Sequence, residues 1–185
     1  DLTILTANEG KTYEELIEYA KVLDDAATGF IDKYVTDDEG NIYKDADSSN
    51  YEQILSGLDS WNKMSQDEKD AVNAILTANG GKTYEELIVG AQALKDSATG
   101  FINKYLTGKD GKIYKEANKS NYAQILSGKD AWNKLSQSEK DAINAILKAN
   151  GGKTYEELLK QANDVKASVQ TSDNTDIMSL CTLLL

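Results

Sequence analysis

Three pairs of adjacent glutamates are the first residues whose type and spacing suggest chemistry: Glu14 and Glu15, Glu85 and Glu86, Glu156 and Glu157. Paired carboxylates can act as general acid and base when both face one substrate. Adjacent residues on a helix point apart, however. Each pair also follows a Thr-Tyr dipeptide at the start of a helical pattern, so we interpret these glutamates as helix-capping and helix-dipole residues.

The residue types that are missing narrow the function further. The chain has no His, Pro or Arg, so all 20 basic residues are Lys. Imidazole is the usual base for a serine or cysteine nucleophile and a common zinc ligand, and Arg is the bidentate phosphate clamp. The single cysteine, Cys181, lies in an apolar run, where a thiolate is disfavoured. We therefore predict a protein that is not an enzyme and has no catalytic residue, no cofactor and no metal site.

The acidic loop at residues 37–41 is the strongest candidate for a metal site, because oxygen ligands spaced around a Gly bind calcium in EF-hand loops. With Gly40 aligned to that Gly, Val35 and Ala46 occupy the first and last ligand positions, and neither side chain carries an oxygen. In the second copy of this segment, described below, Lys109 joins the loop. We interpret the loop as a solvated turn.

The formal net charge is −11. An acidic surface repels nucleic-acid phosphates and anionic membranes, so neither is an expected partner. One cysteine cannot form an intramolecular disulfide, which excludes a small disulfide-rich scaffold but does not exclude export.

An internal repeat organises the chain. The phrase ILTANEGKTYEEL at Ile4 returns as ILTANGGKTYEEL at Ile75 and ILKANGGKTYEEL at Ile146, a spacing of 71 residues both times. Residues 25–95 and 96–166 align without a gap, with 48 identities in 71 positions. The pattern predicts the end of a preceding repeat over residues 1–24, module 1 over 25–95, module 2 over 96–166, and a polar linker with the start of an apolar tail over 167–185.

Each copy carries the sequence signals of helix ends. A Thr or Ser followed three residues later by a Glu forms a capping box, which satisfies free amides at a helix start. The pairs are Thr12 with Glu15, Ser65 with Glu68, Thr83 with Glu86, Ser136 with Glu139, and Thr154 with Glu157. Glycine pairs after Asn79 and Asn150 are typical C-terminal stops.

These signals predict an all-α fold, a tandem of small helical-bundle modules. In the first copy we expect short helices near residues 50–56 and 58–64, a helix over 66–78, and a further helix that begins near Tyr84. A turn or short hairpin is expected around Gly40 and, in the second copy, around Asp110 and Gly111.

Apolar residues of the helix that begins at Tyr84 recur at three-and-four spacing and cross the module boundary near residues 95–96. This pattern is compatible with one continuous helix between modules, as in a spectrin-like rod, with Gly100 as its weak point. Trp61 and Trp132 recur at matching positions, and we favour core packing over a binding surface for both.

The charged positions differ between the modules. Module 1 carries 14 acids and 6 Lys, whereas module 2 carries 9 acids and 12 Lys. Apolar positions mostly match or change conservatively, for example Val72 to Ile143. The two surfaces therefore do not share one ionic ligand.

The C-terminal segment has a different character. From Val169 the helical pattern gives way to polar residues, and residues 177–185 are mostly apolar. This order resembles the sortase sorting signal of Gram-positive surface proteins, in which a Leu/Asn/Ser-Pro-x-Thr-Gly pentapeptide precedes an apolar stretch. Residues 168–172 (Ser-Val-Gln-Thr-Ser) fill the pentapeptide, with Val in place of Pro and Ser in place of Gly, and the apolar run is shorter than the span of about 20 residues that crosses a bilayer.

The resemblance to a truncated, degenerate sorting signal implies three things. Thr171 takes the acyl-transfer position, which makes it the candidate processing residue. A sortase-type transpeptidase becomes an expected partner. Contact with a membrane is confined to the apolar C-terminal segment.

Four motifs occur in both modules: Phe-Ile-x-Lys-Tyr, Asn-Tyr-x-Gln-Ile-Leu, Trp-Asn-Lys and Gly-Gly-Lys-Thr-Tyr-Glu-Glu-Leu. Together they resemble a helical repeat found before sorting signals in large surface proteins of gut-type Gram-positive bacteria, and the resemblance covers residues 25–166. It implies extracellular display on a protein anchored to the cell wall.

Three classes of function follow from these expectations. The favoured class is a non-catalytic surface repeat that binds a host or environmental protein, such as immunoglobulin or another serum or mucosal protein, on its helix faces, because repetition raises avidity. The alternative is a structural stalk that projects a distal adhesin or enzyme from the cell wall, which the unequal charges favour. A carbohydrate-binding accessory domain ranks last. Exposed apolar residues shared by both modules would favour binding, and their burial would favour the stalk.

Overall fold

The computed structural model describes the backbone of residues 10–183 and the side chains of residues 10–171. The described chain is mainly helical, which confirms the all-α class predicted from the sequence. It divides into two compact units, with the division between Gln92 and Ala93. The module boundaries that we derived from the repeat stay predictions.

The helices of the first unit follow the sequence signals closely. They are α1 (Tyr13–Tyr34), α2 (Tyr51–Ser56), α3 (Leu58–Lys63) and α4 (Gln66–Ala78). The next helix, α5 (Tyr84–Tyr105), begins at the predicted Tyr84. The expected short helices and the helix over residues 66–78 are therefore confirmed.

The second unit has the same order of elements. It contains α6 (Tyr122–Ser127), α7 (Lys129–Trp132), α8 (Gln137–Ala149) and α9 (Tyr155–Leu183). The order is the same because the capping residues that start the longer helices recur 71 positions apart, although α7 is two residues shorter than α3 and α9 is seven residues longer than α5.

The capping boxes form as predicted. At the start of α4 the Ser65 Oγ accepts the N–H of Glu68 at 3.3 Å, and the Glu68 carboxylate accepts the N–H of Ser65 at 2.7 Å. The stops after α4 and α8 also form, since Gly80 and Gly151 have φ values of 73° and 69°, which favour glycine. Local sequence therefore fixes both ends of these helices.

A compact polar loop follows α1. Thr36 pairs with Ile42 in an isolated antiparallel bridge around Gly40, which confirms the predicted turn. Gln53 of α2 holds this loop against α1, because its Nε2 donates to the carbonyl oxygens of Lys33 at 3.1 Å and Thr36 at 2.9 Å. The loop is thus tied to the helical core by side chain to backbone hydrogen bonds.

The expected end of the helical pattern at Val169 is wrong, since α9 continues to Leu183. No Gly or Pro follows Gly152 in the sequence, so no residue in this segment breaks a helix. Ser, Thr, Asn and Asp in the segment lower helix propensity by only a few tenths to about 0.7 kcal/mol per residue.

The core of each unit is built from the apolar positions that the two copies share. In the first unit the fully buried side chains include Val35, Ile54, Leu76, Tyr84 and Leu87. In the second unit Leu106, Ile125, Leu147, Tyr155 and Leu158 are fully buried at the same positions. Each change at a buried position, such as Val35 to Leu106, keeps an aliphatic side chain, because a close-packed core tolerates similar volumes best.

Candidate functional site

Four aromatic residues gather where the start of α5 meets the other helices of the first unit. We call Phe30, Tyr34, Trp61 and Tyr84 the first aromatic cluster. The Tyr84 ring centroid lies 4.8 Å from that of Phe30, in an edge-to-face arrangement, and 4.8 Å from that of Trp61. Phe30 also contacts Tyr34 at 5.0 Å. Aromatic pairs at these distances add about 0.5–1.5 kcal/mol beyond the area they bury.

The second unit repeats this arrangement. Phe101, Tyr105, Trp132 and Tyr155 form the second aromatic cluster. Tyr155 lies 4.9 Å from Phe101 and 4.7 Å from Trp132. Trp61 and Trp132 are 4% and 6% exposed, which confirms that the tryptophans belong to the core.

Polar contacts fix the position of Tyr84 at both ends of the residue. Its hydroxyl donates to the Ile54 carbonyl oxygen at 2.6 Å, and its backbone N–H donates to Asn73 Oδ1 at 2.9 Å. Gly57 leaves the space for this contact, because a Cβ on Gly57 would lie 2.8 Å from the Tyr34 ring and would also clash with the Tyr84 hydroxyl. Burial raises the pKa of the Tyr84 hydroxyl. The arrangement keeps the phenol protonated and the start of α5 in place.

Sequence reasoning placed the tryptophans correctly but missed the residues that hold Tyr84 and the loop after α1. Asn73, Gly57 and Gln53 are polar or small, so no apolar pattern marks them. Their identity at Asn144, Gly128 and Gln124 in the second copy is the signal that could have found them.

The second glutamate of each adjacent pair acts as a helix-capping residue, as predicted. Glu86 accepts the N–H of Thr83 at 2.9 Å, while Glu85 accepts a hydrogen bond from Asn73 Nδ2 at 3.0 Å. The two neighbouring carboxylates therefore have different hydrogen-bond partners.

The acidic loop uses its first carboxylate internally. Asp37 Oδ1 accepts the N–H groups of Glu39 at 3.0 Å and Asn41 at 2.8 Å, and Asp37 Oδ2 accepts a hydrogen bond from Asn41 Nδ2 at 2.9 Å. The bond from the Asn41 side chain is the main reason that the pKa of Asp37 is lowered. In the second unit Gly108 stands in place of Asp37. Within the described side chains, no group of three or more Cys, Asp and Glu is placed to hold a metal.

The candidate processing residue lies on α9. Thr171 is exposed, and its hydroxyl donates to the Ala167 carbonyl oxygen at 2.9 Å, a bond within the helix. The side chains of Ser172 and Cys181 lie outside the described residues.

A polar cleft of about 570 Å³ opens beside the loop of the second unit. One wall carries the ion pair of Lys153 with Glu116, at 3.3 Å. The first unit has the matching pair, Lys82 with Asp45 at 2.7 Å, but there Asn41 replaces the cleft residue Lys112. The cleft charge is therefore not common to both copies.

The exposed apolar surface is also not shared. Within residues 25–166, all of which the structure describes, Val89 is the large apolar side chain that stands out, at 70% exposure. Its counterpart in the second copy is Lys160. Among residues 10–171, whose side chains are described, the other exposed large apolar residues lie on α1 before residue 25: Tyr13, Ile17, Tyr19 and Val22.

Comparisons of the chain with models of protein families, with curated proteins and with solved structures find no match. In the part of the chain that the structure describes, no helix combines the length and the apolar character needed to cross a membrane.

Proposed function

We propose that this chain is a non-catalytic structural repeat, a stalk segment that separates a distal binding or catalytic part of a bacterial surface protein from the cell wall. The observation that carries the proposal is the location of the shared residues. The large apolar side chains that are identical in residues 25–95 and 96–166 lie in or beside the two cores, and Val89, the strongly exposed one, is not shared. Selection for packing alone explains that distribution.

The surface charges support the same proposal. A common ligand would need a common pattern of charge, yet module 1 has 14 acids and 6 Lys and module 2 has 9 acids and 12 Lys. Solvated charge maintains solubility whatever its arrangement, so it can vary freely on a stalk.

We further propose that the modules form a tandem joined by α5. Tyr84 and Leu87 near the start of α5 are buried in the first unit, and Phe101 and Ile102 near its end are buried in the second. One helix then supplies the last core residues of one module and the first of the next, as expected for stacked helical repeats.

The proposed setting is the exterior of a cell-wall-bearing bacterium, with the C-terminal segment as the attachment signal. The sequence resemblance of residues 168–172 to a sorting pentapeptide supports this setting. A transpeptidase thiol would attack the Thr171 carbonyl carbon and displace the amine of Ser172, which leaves with residues 172–185; this step requires that α9 opens locally. The triglycine amine would then displace the thiol. We expect a sortase-type enzyme with triglycine to yield a product in which the Thr171 carbonyl carbon is joined to triglycine, detected by mass spectrometry, and the Thr171→Ala variant to stay intact. An uncleaved chain would contradict this attachment route.

Retention of host proteins tests the stalk function against the binding function. The full chain, immobilised at micromolar concentration, is exposed to serum, secretory immunoglobulin and mucin. We expect no protein to be retained above the level of a matched matrix without the chain. Saturable retention of one of these proteins would contradict the stalk function and favour the binding repeat.

A further inference from the structure

The first half of α1 carries an apolar face that the described residues of the first unit leave open. Tyr13 and Ile17 are 74% and 52% exposed, and Ala20 is exposed as well. Leu16 is only partly covered. Spacings of three and four residues put these four side chains on one side of the helix.

The same face is covered in both other places where the sequence occurs. Tyr84, Leu87 and Ala91, which follow Tyr13, Leu16 and Ala20 by 71 residues, are 0% exposed. Tyr155, Leu158 and Ala162 in the second unit are also 0% exposed.

The covering surface is the same in each case. Tyr84 is covered by Phe30 and Trp61, and its hydroxyl reaches the Ile54 carbonyl oxygen at 2.6 Å. Tyr155 makes the same contact with the Ile125 carbonyl oxygen at 2.8 Å. A surface that fits Tyr13 therefore has a Phe ring, a Trp ring and, beside a Gly, a backbone carbonyl oxygen that accepts a hydrogen bond from the tyrosine hydroxyl.

We infer that the open face of α1, formed by Tyr13, Leu16 and Ala20, is a docking surface for the body of another 71-residue repeat placed before it in the same polypeptide. The Tyr13 ring enters the aromatic cluster of that repeat as Tyr84 enters the first cluster. The sequence supports this occupant, because residues 4–16 repeat the segment that leads into Tyr84, including Thr12, Glu14 and Glu15 of the helix start. The inference rests on the proposed tandem array.

Val22 lies on the opposite side of α1 from Tyr13, since nine residues turn an α-helix by about 180°. It is 52% exposed, and its counterpart Ala93 is also exposed, so a docked repeat leaves position 22 in solvent. The inference thus predicts which exposed residues become buried and which do not.

The test compares the 185-residue chain with a longer chain that has one extra copy of residues 13–83 inserted directly before Tyr13. In the longer chain, the amides of residues 16–20 in the copy that follows the insert should exchange at least about tenfold more slowly than in the 185-residue chain. Tyr13→Ala, made only in that copy, should lower the urea midpoint of the longer chain as Tyr84→Ala does. The same substitution should leave the midpoint of the 185-residue chain unchanged. Val22→Ala is the matched control and should change neither chain.

Equal exchange at residues 16–20 in the two chains, in a longer chain that Tyr84→Ala still destabilises, would overturn the inference. A dimer of the 185-residue chain that Tyr13→Ala abolishes in sedimentation would also overturn it, since the occupant would then be a second chain. Neither outcome bears on host-protein retention, so failure of the docking surface and failure of the stalk function can be told apart.

Discussion

Tyr84 combines a buried ring with a hydroxyl that bonds to a backbone carbonyl. Tyr84→Phe should lower the free energy of unfolding by about 1–2 kcal/mol, because the Ile54 carbonyl oxygen loses a buried partner. Tyr84→Ala should cost about 3–5 kcal/mol, because it leaves a cavity among Phe30 and Trp61. Urea denaturation followed by tryptophan fluorescence measures both.

Tyr13 supplies the control for these substitutions. It has the same neighbours in sequence but is 74% exposed, so Tyr13→Phe should change stability by no more than about 0.5 kcal/mol. Equal losses of stability for Tyr13→Phe and Tyr84→Phe would show that the hydrogen bond of the Tyr84 hydroxyl to Ile54 does not stabilise the fold.

The buried phenols also predict a dependence of stability on alkaline pH. Burial raises the pKa values of Tyr84 and Tyr155, so each folded pKa lies above the unfolded value of about 10. Their contribution is fully present below about pH 10 and is lost as the pH rises further towards the folded values, because only the unfolded chain releases the protons easily. Urea midpoints measured from about pH 8 to 11.5 should fall above about pH 10.

The variant Tyr84→Phe separates this effect from the titration of lysines, which occurs in the same range. It should show a shallower alkaline fall than the parent chain. Parallel curves for the two proteins would contradict the role given to the Tyr84 proton.

The residue scale shows what an apolar pattern can and cannot predict. Trp61 was placed in the core because large aromatic side chains at helical spacing usually pack there. The role of Tyr84 was not predicted, because it depends on Gly57, Ile54 and Asn73, which only the folded chain brings to it.

At the scale of elements, two kinds of glycine predict opposite responses to the same substitution. Gly57→Ala should destabilise the first unit by about 1–3 kcal/mol, because the new methyl group clashes with the Tyr34 ring and the Tyr84 hydroxyl. Gly100→Ala should stabilise the chain by about 0.5–1 kcal/mol, since Gly100 lies within α5 and an added Cβ meets no atom within 4 Å. Thermal or urea unfolding gives the sign of each change.

Two further glycines repeat the comparison. Gly128→Ala should behave as Gly57→Ala, because its Cβ would lie 2.9 Å from the Tyr105 ring. Gly29→Ala should behave as Gly100→Ala. A stabilising Gly57→Ala would show that α2 and α3 do not need the close approach.

Helix boundaries could be predicted where a local signal sets them. The capping box at Ser65 and the positive φ of Gly80 act within a few residues, so both ends of α4 followed from sequence. The end of α9 did not, because the polar residues after Val169 lower helix propensity but none of them breaks a helix. Contacts between distant segments, such as Gln53 with Thr36, leave no periodic trace in the sequence.

At the scale of the whole molecule, the unequal charges predict that the two units respond differently to salt. Module 1 has 14 acids and 6 Lys, so it repels itself more than module 2, with 9 acids and 12 Lys. Raising NaCl from about 10 mM to about 1 M shortens the screening length from about 30 Å to about 3 Å. The urea midpoint reported by Trp61 should therefore rise more than that reported by Trp132.

Single-tryptophan variants make this measurement specific. Trp132→Phe leaves Trp61 as the reporter of the first unit, and Trp61→Phe leaves Trp132 as the reporter of the second. Equal salt responses in the two variants would contradict the assignment of self-repulsion to module 1.

The fold class and the period of the repeat could be predicted from sequence because each is encoded many times over. The charge patterns could not predict a ligand, since surface charge varies without changing the core. The sequence shows that Val89 is replaced by Lys160 in the second copy, but only the folded chain shows that the Val89 side chain is exposed.

The tyrosine that completes each aromatic cluster bears on how the gene can change. Thr83 to Leu87 and Thr154 to Leu158 are identical, and each segment supplies the final side chains of a core. Unequal recombination anywhere between the two copies adds or removes 71 codons in frame and still leaves every core with its tyrosine. Related proteins are therefore expected to differ in length by whole units, while the residues around each tyrosine stay intact.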